Sequence, residues 1–214
     1  MLDIIGSDPN NFGCMHCNSH DRERHLFMFF DRLNIWEKMK NVAILHFAPE
    51  KNLSEKISKQ EPLQYVCADL YPKDQLTQKI DLTRVPYSND VFDIVIANHV
   101  LEHIPNYLEA LNEIYRVLKP NGAAVLQTPY TKLLEHNFEL SCINTSALRS
   151  YYYGQSDHVR IFSRSHLFGD IEGAGFVLKI KKNDDLFSEE LARYYGVNKN
   201  EDLILAYKPQ ESTR

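Results

Sequence analysis

Apolar residues occur along this chain in short runs and in helical spacing, and the two patterns alternate. Short apolar runs predict buried strands at residues 42–47, 64–68, 92–97, 123–127, 176–181 and 203–207, with one more short strand just before Asp81. Helical spacing predicts helices at residues 53–59, 107–118 and 164–174. This alternation predicts a Rossmann-like, doubly wound α/β fold, with a mostly parallel seven-stranded sheet and helices on both faces.

The chain before residue 42 lacks the alternation of predicted strands and helices. Met1–Ser19 is polar and contains Cys14-Met15-His16-Cys17, and Arg22–Lys40 has the spacing of a single amphipathic helix. We therefore predict an N-terminal extension at residues 1–41 and the main domain at residues 42–209. Within the main domain, residues 133–160 are less regular and are predicted to form an insertion that caps one end of the sheet.

Composition narrows the class of protein. The net charge of -5 gives no basic footprint for nucleic acid. No apolar run reaches the roughly 18 residues of a membrane span, and Met1–Gly6 is too short and acidic for a signal peptide. Four cysteines in a chain of this length do not suggest a secreted disulfide framework, so we expect a cytoplasmic protein. The last residues, Pro209–Arg214, resemble a frayed polar tail.

One β-α-β unit is the most informative segment. The strand Phe92–Ala97 is followed by Asn98-His99-Val100-Leu101-Glu102-His103-Ile104-Pro105, a helix, the turn Lys119–Gly122 and a second strand. Over about residues 42–182, this order resembles the class I S-adenosylmethionine (SAM)-dependent methyltransferases. The resemblance implies that SAM is the cofactor. It also implies that the last two strands form a reversed pair at one edge of the sheet.

The turn after the first strand is unusual for that family. The family has a glycine-rich motif where this chain has Phe47, Ala48, Pro49 and Glu50, which resemble the glycine-free turn of one methyltransferase branch. Backbone amides at the start of the following helix could then bind the carboxylate of SAM. An ordinary strand-to-helix turn is the alternative.

Two further turns complete the predicted cofactor site. Asp69, followed by Leu70, ends the second strand, where a carboxylate can accept hydrogen bonds from both ribose hydroxyls. The resemblance implies that Asp81 and the backbone of Leu82 bind adenine. It also implies that three residues after the fourth strand lie beneath the sulfonium, namely Asn98, His99 and Val100.

Candidate catalytic residues are His158, His99, His103 and Arg160. A histidine suits a hydroxyl nucleophile because its ordinary pKa is about 6.5. His158 lies in a polar stretch that resembles one in the suspected branch, where Arg160 could hold an anionic or polyhydroxyl substrate. The alternative is that His158 and Arg160 only pin the cap to the sheet. The Tyr151–Tyr153 run could stack on an acceptor or lie in the core, and we favour the core.

We predict no metal. His99-Val100-Leu101-Glu102-His103 is similar to an E-x-x-E-H array that binds divalent metal in some methyltransferases of small RNA and quinone precursors, but a histidine replaces its first glutamate. Cys14 and Cys17 supply only half of the four ligands that a structural zinc site needs.

The sequence therefore predicts a SAM-dependent methyltransferase that acts on a small-molecule or glycan-linked acceptor, at oxygen. One alternative is a non-catalytic module with the same fold. The other is an NAD-dependent sugar-modifying enzyme, although the chain lacks the glycines that accommodate a pyrophosphate.

Overall fold

A computed structural model describes residues 3–8 and 11–210. Met1, Leu2 and residues 211–214 of the expected tail lie outside the described residues. The strands are β1 (Ile4–Ile5), β2 (Ala43–Phe47), β3 (Gln64–Asp69), β4 (Gln78–Lys79), β5 (Phe92–Ala97), β6 (Leu118–Val125), β7 (Tyr130–Thr131), β8 (Phe162–Ser163), β9 (Val177–Lys181) and β10 (Leu203–Tyr207). The α-helices are α1 (Asp21–Arg32), α2 (Lys51–Ser58), α3 (Tyr107–Val117), α4 (Ser146–Tyr153), α5 (Arg164–Gly173), α6 (Asn183–Leu186) and α7 (Glu189–Tyr195). Short 3₁₀ helices are Trp36–Met39 and Leu101–His103.

The central sheet has seven strands in the order β4-β3-β2-β5-β6-β10-β9. The first five are parallel, whereas β10 runs antiparallel to both β6 and β9. The predicted doubly wound, mostly parallel fold is confirmed, including the reversed pair at one edge. A second sheet, β1-β7-β8, joins the N-terminal segment to the chain that leaves β6.

Alternate side chains of the buried strands build two cores, one on each face of the sheet. Leu45 and Phe47 of β2 pack into the cluster that includes α3 and α5, whereas Ile44 packs into the cluster that includes α1 and α2. Helices therefore cover both faces, which leaves the carboxyl ends of the parallel strands as the open edge of the layer.

The predicted single helix Arg22–Lys40 is wrong in its second half. The helix α1 ends at Arg32, Asn34 adopts a left-handed φ of 52°, and the chain continues as the 3₁₀ helix Trp36–Met39. Tertiary packing explains the break, because Trp36 and Met39 turn back into the same core as α1. Apolar spacing alone does not reveal such a change of direction.

The turn predicted at residues 119–122 lies inside β6. Leu118 pairs with Phe92, but the next pair in the ladder is Ala123 with Ile94, so the intervening residues bulge outward. Asn121 adopts a left-handed φ of 65°. A Cβ on Gly122 would lie 2.7 Å from the carbonyl oxygen of Lys119, which explains the glycine there.

Residues 133–160 connect β7 to β8 and include α4. Of the three tyrosines in α4, only Tyr153 is buried, whereas Tyr151 is 82% and Tyr152 is 46% exposed. The prediction that these tyrosines lie in the core is therefore wrong for Tyr151 and Tyr152. Among residues 3–8 and 11–210, no helix is long and apolar enough to cross a membrane.

Candidate active site

A cavity of about 420 Å³ lies at the carboxyl ends of β2 and β3. Ala48, Pro49 and Glu50 line it on one side, and Asp69 lines it on another. The N-terminal segment forms a further wall with Cys17, Asn18, His20, Arg22 and Glu23. Ligands of doubly wound folds bind at this edge of the sheet.

The glycine-free turn adopts a conformation that glycine usually provides. Ala48 has a left-handed φ of 47°, and its amide donates a hydrogen bond of 2.8 Å to the carbonyl oxygen of Ala68. Phe47 is buried beneath it, and α2 begins after Glu50. The alanine side chain is small enough for the backbone to turn sharply into the cavity wall without glycine.

Glu50 is the centre of a buried polar cluster. Its Oε1 accepts a 2.6 Å hydrogen bond from Nδ2 of Asn98 and lies 3.8 Å from Nε of Arg22. Its Oε2 lies 3.3 Å from Nε2 of His46. Burial alone would raise the pKa of Glu50, but His46, Arg22 and a backbone hydrogen bond together outweigh burial and lower that pKa. The surroundings of this carboxylate therefore favour its charged form.

The helix α1 contributes two residues to the site that were not predicted from the sequence. Arg22 and Glu23 line the cavity, and Oε1 of Glu23 accepts a 2.8 Å hydrogen bond from the amide of Leu53 at the start of α2. One of the helix-start amides that we expected to bind SAM therefore already donates its hydrogen bond to the carboxylate of Glu23. The signal available in the sequence was the run of charged residues Asp21–Arg24 at the start of the amphipathic helix.

The remaining predicted cofactor residues lie in different environments. Asp69 is half-buried, and its Oδ1 accepts a 2.7 Å hydrogen bond from the amide of Tyr71. Asp81 is exposed, and its Oδ1 accepts hydrogen bonds from the amide and hydroxyl of Thr83 at 2.8 and 2.7 Å. Leu70 is 43% exposed, whereas Leu82 is buried in the core.

His99 lies between two buried carboxylates. Its Nδ1 is 3.4 Å from Glu102, and its Nε2 is 3.3 Å from Glu201, the residue that precedes β10 by two positions. Burial alone would lower the pKa of His99, but the two carboxylates raise it to about 9. His99 also has a left-handed φ of 54°, and the half-buried Val100 follows it. The two carboxylates therefore favour the protonated form of His99, which disfavours a role as a base.

His103 and His158 form a second group around Glu102. Their rings lie 4.8 Å apart between centroids, and Nδ1 of His103 is 3.4 Å from the carboxylate of Asp157. Burial lowers the pKa of His158, so its imidazole is neutral near pH 7. The fold thus brings together two candidate bases that are far apart in sequence.

Arg160 has no nitrogen available for a substrate. It is 1% exposed and donates to the carbonyl oxygens of Leu101, Ile104 and Pro105 and to the carboxylate of Glu139. These contacts favour the pinning role that the sequence left open. The guanidinium holds the chain after α4 against the turn that carries Glu102 and His103.

A family model for a methyltransferase domain matches residues 36–179, which is more than half of the chain. The chain belongs to this methyltransferase domain family. A demethylmenaquinone methyltransferase from Lysinibacillus sphaericus is 34% identical over 64 residues, which cover 29% of this chain and 27% of that protein. The chain therefore matches only about a quarter of that relative's length.

Solved structures share the fold of this methyltransferase domain. A SAM-dependent methyltransferase from Mesorhizobium loti has a TM-score of 0.59 and 11% identity, with 84% of this chain and 97% of that chain covered. A phosphoethanolamine N-methyltransferase from Haemonchus contortus, solved in complex with S-adenosyl-L-methionine, has a TM-score of 0.54 and 13% identity, with 88% and 57% covered.

Proposed function

We propose that this methyltransferase domain transfers the methyl group of SAM to an oxygen atom of a small-molecule or glycan-linked acceptor. The family supports the reaction class and the cofactor. The observation that carries the proposal is the position of Asp69 and Glu50 on one cavity at neighbouring strand ends, with Asn98 hydrogen-bonded to Glu50. The two alternatives, a non-catalytic module and an NAD-dependent enzyme, have no comparable support.

The residues of the cavity suit the polar groups of SAM. Asp69 would accept hydrogen bonds from the ribose hydroxyls, and Glu50 would attract the ammonium group of the methionine end, with Arg22 beside it for the carboxylate. Oδ1 of Asn98 is buried without a hydrogen-bond partner among the described residues, so it offers a further acceptor. Asp81 and the backbone of Leu82 remain our proposed adenine contacts.

SAM supplies a methyl group whose carbon is activated by the adjacent sulfonium. The acceptor oxygen forms a bond to this carbon while the carbon–sulfur bond breaks, so S-adenosylhomocysteine leaves with the electron pair. The hydroxyl proton must depart, and we propose that His158 receives it or positions the oxygen. Orientation supplies most of the remaining rate advantage, because the leaving group is already a good one.

A glycan-linked acceptor is consistent with the surface of the cap. Tyr151 and Tyr152 are exposed on α4, and their rings lie 5.0 Å apart in an edge-to-face arrangement. Exposed aromatic rings offer an apolar face and a polar hydroxyl to a sugar. We therefore assign residues 133–160 to the acceptor side.

Calorimetry and product analysis test the proposal. The purified protein is expected to bind SAM and S-adenosylhomocysteine but not NAD. A screen of sugars, phenols and glycosides with isotope-labelled SAM is expected to yield a methyl ether, identified by NMR. Methylation at carbon or nitrogen would contradict the oxygen assignment, and binding of NAD alone would contradict the reaction class.

Replacement of Asp69 with alanine is expected to weaken SAM binding about ten- to hundredfold. A hydrogen bond to a charged partner contributes roughly 1.5–3 kcal/mol. Calorimetry measures the change, and Glu55→Ala, which removes an exposed carboxylate from α2, provides the control. Parental affinity in Asp69→Ala would show that the ribose binds elsewhere.

A further inference from the structure

The group formed by Glu102, His103 and His158 is suited to a positive ion. Each residue offers one ligand atom, and these atoms all lie within 4.8 Å of one another. We propose that these three side chains bind a divalent transition-metal ion on the acceptor side of the active site. This site differs from the array considered from sequence, because His99 faces Glu201 on its other side and His158 takes part instead.

The burial of the Glu102 carboxylate is the strongest argument for a bound cation. The residue is 1% exposed, and its Oε2 has no hydrogen-bond partner among the described residues, while Oε1 lies 3.4 Å from His99. Burial of a carboxylate without compensation is costly. A cation between Glu102 and the two imidazoles would give this buried oxygen a partner.

The protein also fixes the positions of the three ligands. The amide of Val159 donates a 3.0 Å hydrogen bond to the carbonyl oxygen of Glu102, which places His158 beside this carboxylate. Asp157 lies 3.4 Å from Nδ1 of His103. Contact between a carboxylate and an imidazole is the usual outer-sphere arrangement that orients a histidine ligand.

Two imidazoles and one carboxylate favour a first-row transition ion over magnesium or calcium, which prefer oxygen ligands. Three protein ligands leave coordination positions open for an acceptor oxygen. The ion would lower the pKa of a bound hydroxyl group and so favour its attack on the methyl group. This consequence rests on the proposed function, whereas the binding of the ion does not. The proposal replaces our expectation of no metal.

Titration of the metal-free protein with Co²⁺ tests the site. The parent is expected to bind one equivalent and to develop visible absorption bands from imidazole coordination. Glu102→Gln, His103→Ala and His158→Ala should each weaken binding at least about tenfold. The control is His136→Ala. His136 and His166 form another histidine pair, which is exposed and has ring centroids 5.3 Å apart. This control should bind Co²⁺ like the parent.

The outcomes separate the two proposals. His103→Ala changes a partly exposed residue, so it remains informative if Glu102→Gln does not fold. Absence of Co²⁺ binding in the parent, or equal binding in the parent and all three site variants, would overturn the metal site. Calorimetry with SAM on the same samples tests the cofactor independently. Co²⁺ binding without SAM binding would contradict the proposed function and leave the metal site standing.

Discussion

Replacement of His158 with alanine is expected to lower the turnover of methyl transfer at least about a hundredfold, while SAM affinity stays nearly unchanged. A positioned acid or base typically contributes about 10²–10⁴-fold. His158 lies beside Glu102 and His103, whereas Asp69 and Glu50, two of the proposed SAM contacts, lie on the cavity at the ends of β3 and β2. The same loss follows if His158 acts through a bound ion, and the Co²⁺ titration distinguishes these two roles.

Steady-state turnover and SAM calorimetry on one preparation check this result. His136→Ala serves as the control, because it removes an exposed imidazole from the same connection between β7 and β8. A parallel loss of SAM binding in His158→Ala would indicate a structural role. Near-parental turnover would eliminate His158 and direct attention to His103.

Replacement of Arg160 with methionine is expected to lower the free energy of unfolding by at least about 2 kcal/mol. The carbonyl oxygens of Ile104 and Pro105 would lose their donor, whereas that of Leu101 would keep only the amide of Ile104. A buried acceptor that loses its partner costs about 1–3 kcal/mol. Glu139 adds little to this cost, because its side chain is 44% exposed and its charge remains in water.

Urea denaturation of the two proteins measures this difference. The control is Arg164→Met, since Arg164 is exposed and lies over the ring of Phe168 rather than against buried carbonyl groups. We expect the control to change stability by less than about 1 kcal/mol. An equally small effect in Arg160→Met would show that the three carbonyl oxygens find water or other donors without the guanidinium.

The sheet could be predicted because its signal is local. Runs such as Phe92–Ala97 are buried on both faces and therefore apolar except at the partly buried Asp93, and the predicted strand matches β5 residue for residue. The break after α1 and the bulge in β6 could not be predicted in the same way. Both depend on packing partners distant in sequence, such as the core that receives Trp36.

The site could be predicted only in part. Asp69 ends β3 and Glu50 lies in the turn after β2, and the structure places both on the cavity. The role of Arg160 was open, because a sequence does not show whether a guanidinium faces solvent or three carbonyl oxygens. Glu201 gave no signal at all, although it lies 3.3 Å from His99. Its place beside His99 depends on the pairing of β10 with β6, the neighbour of β5 in the sheet.

The position of β10 also dictates an order of assembly during synthesis. β9 leaves the ribosome before β10, yet it joins the central sheet only through β10. Until β10 emerges, β6 presents an open row of backbone donors and acceptors, which is a template for wrong pairing. Glu201 arrives together with β10, so the nascent chain completes its sheet and the buried group around His99 in the same late step.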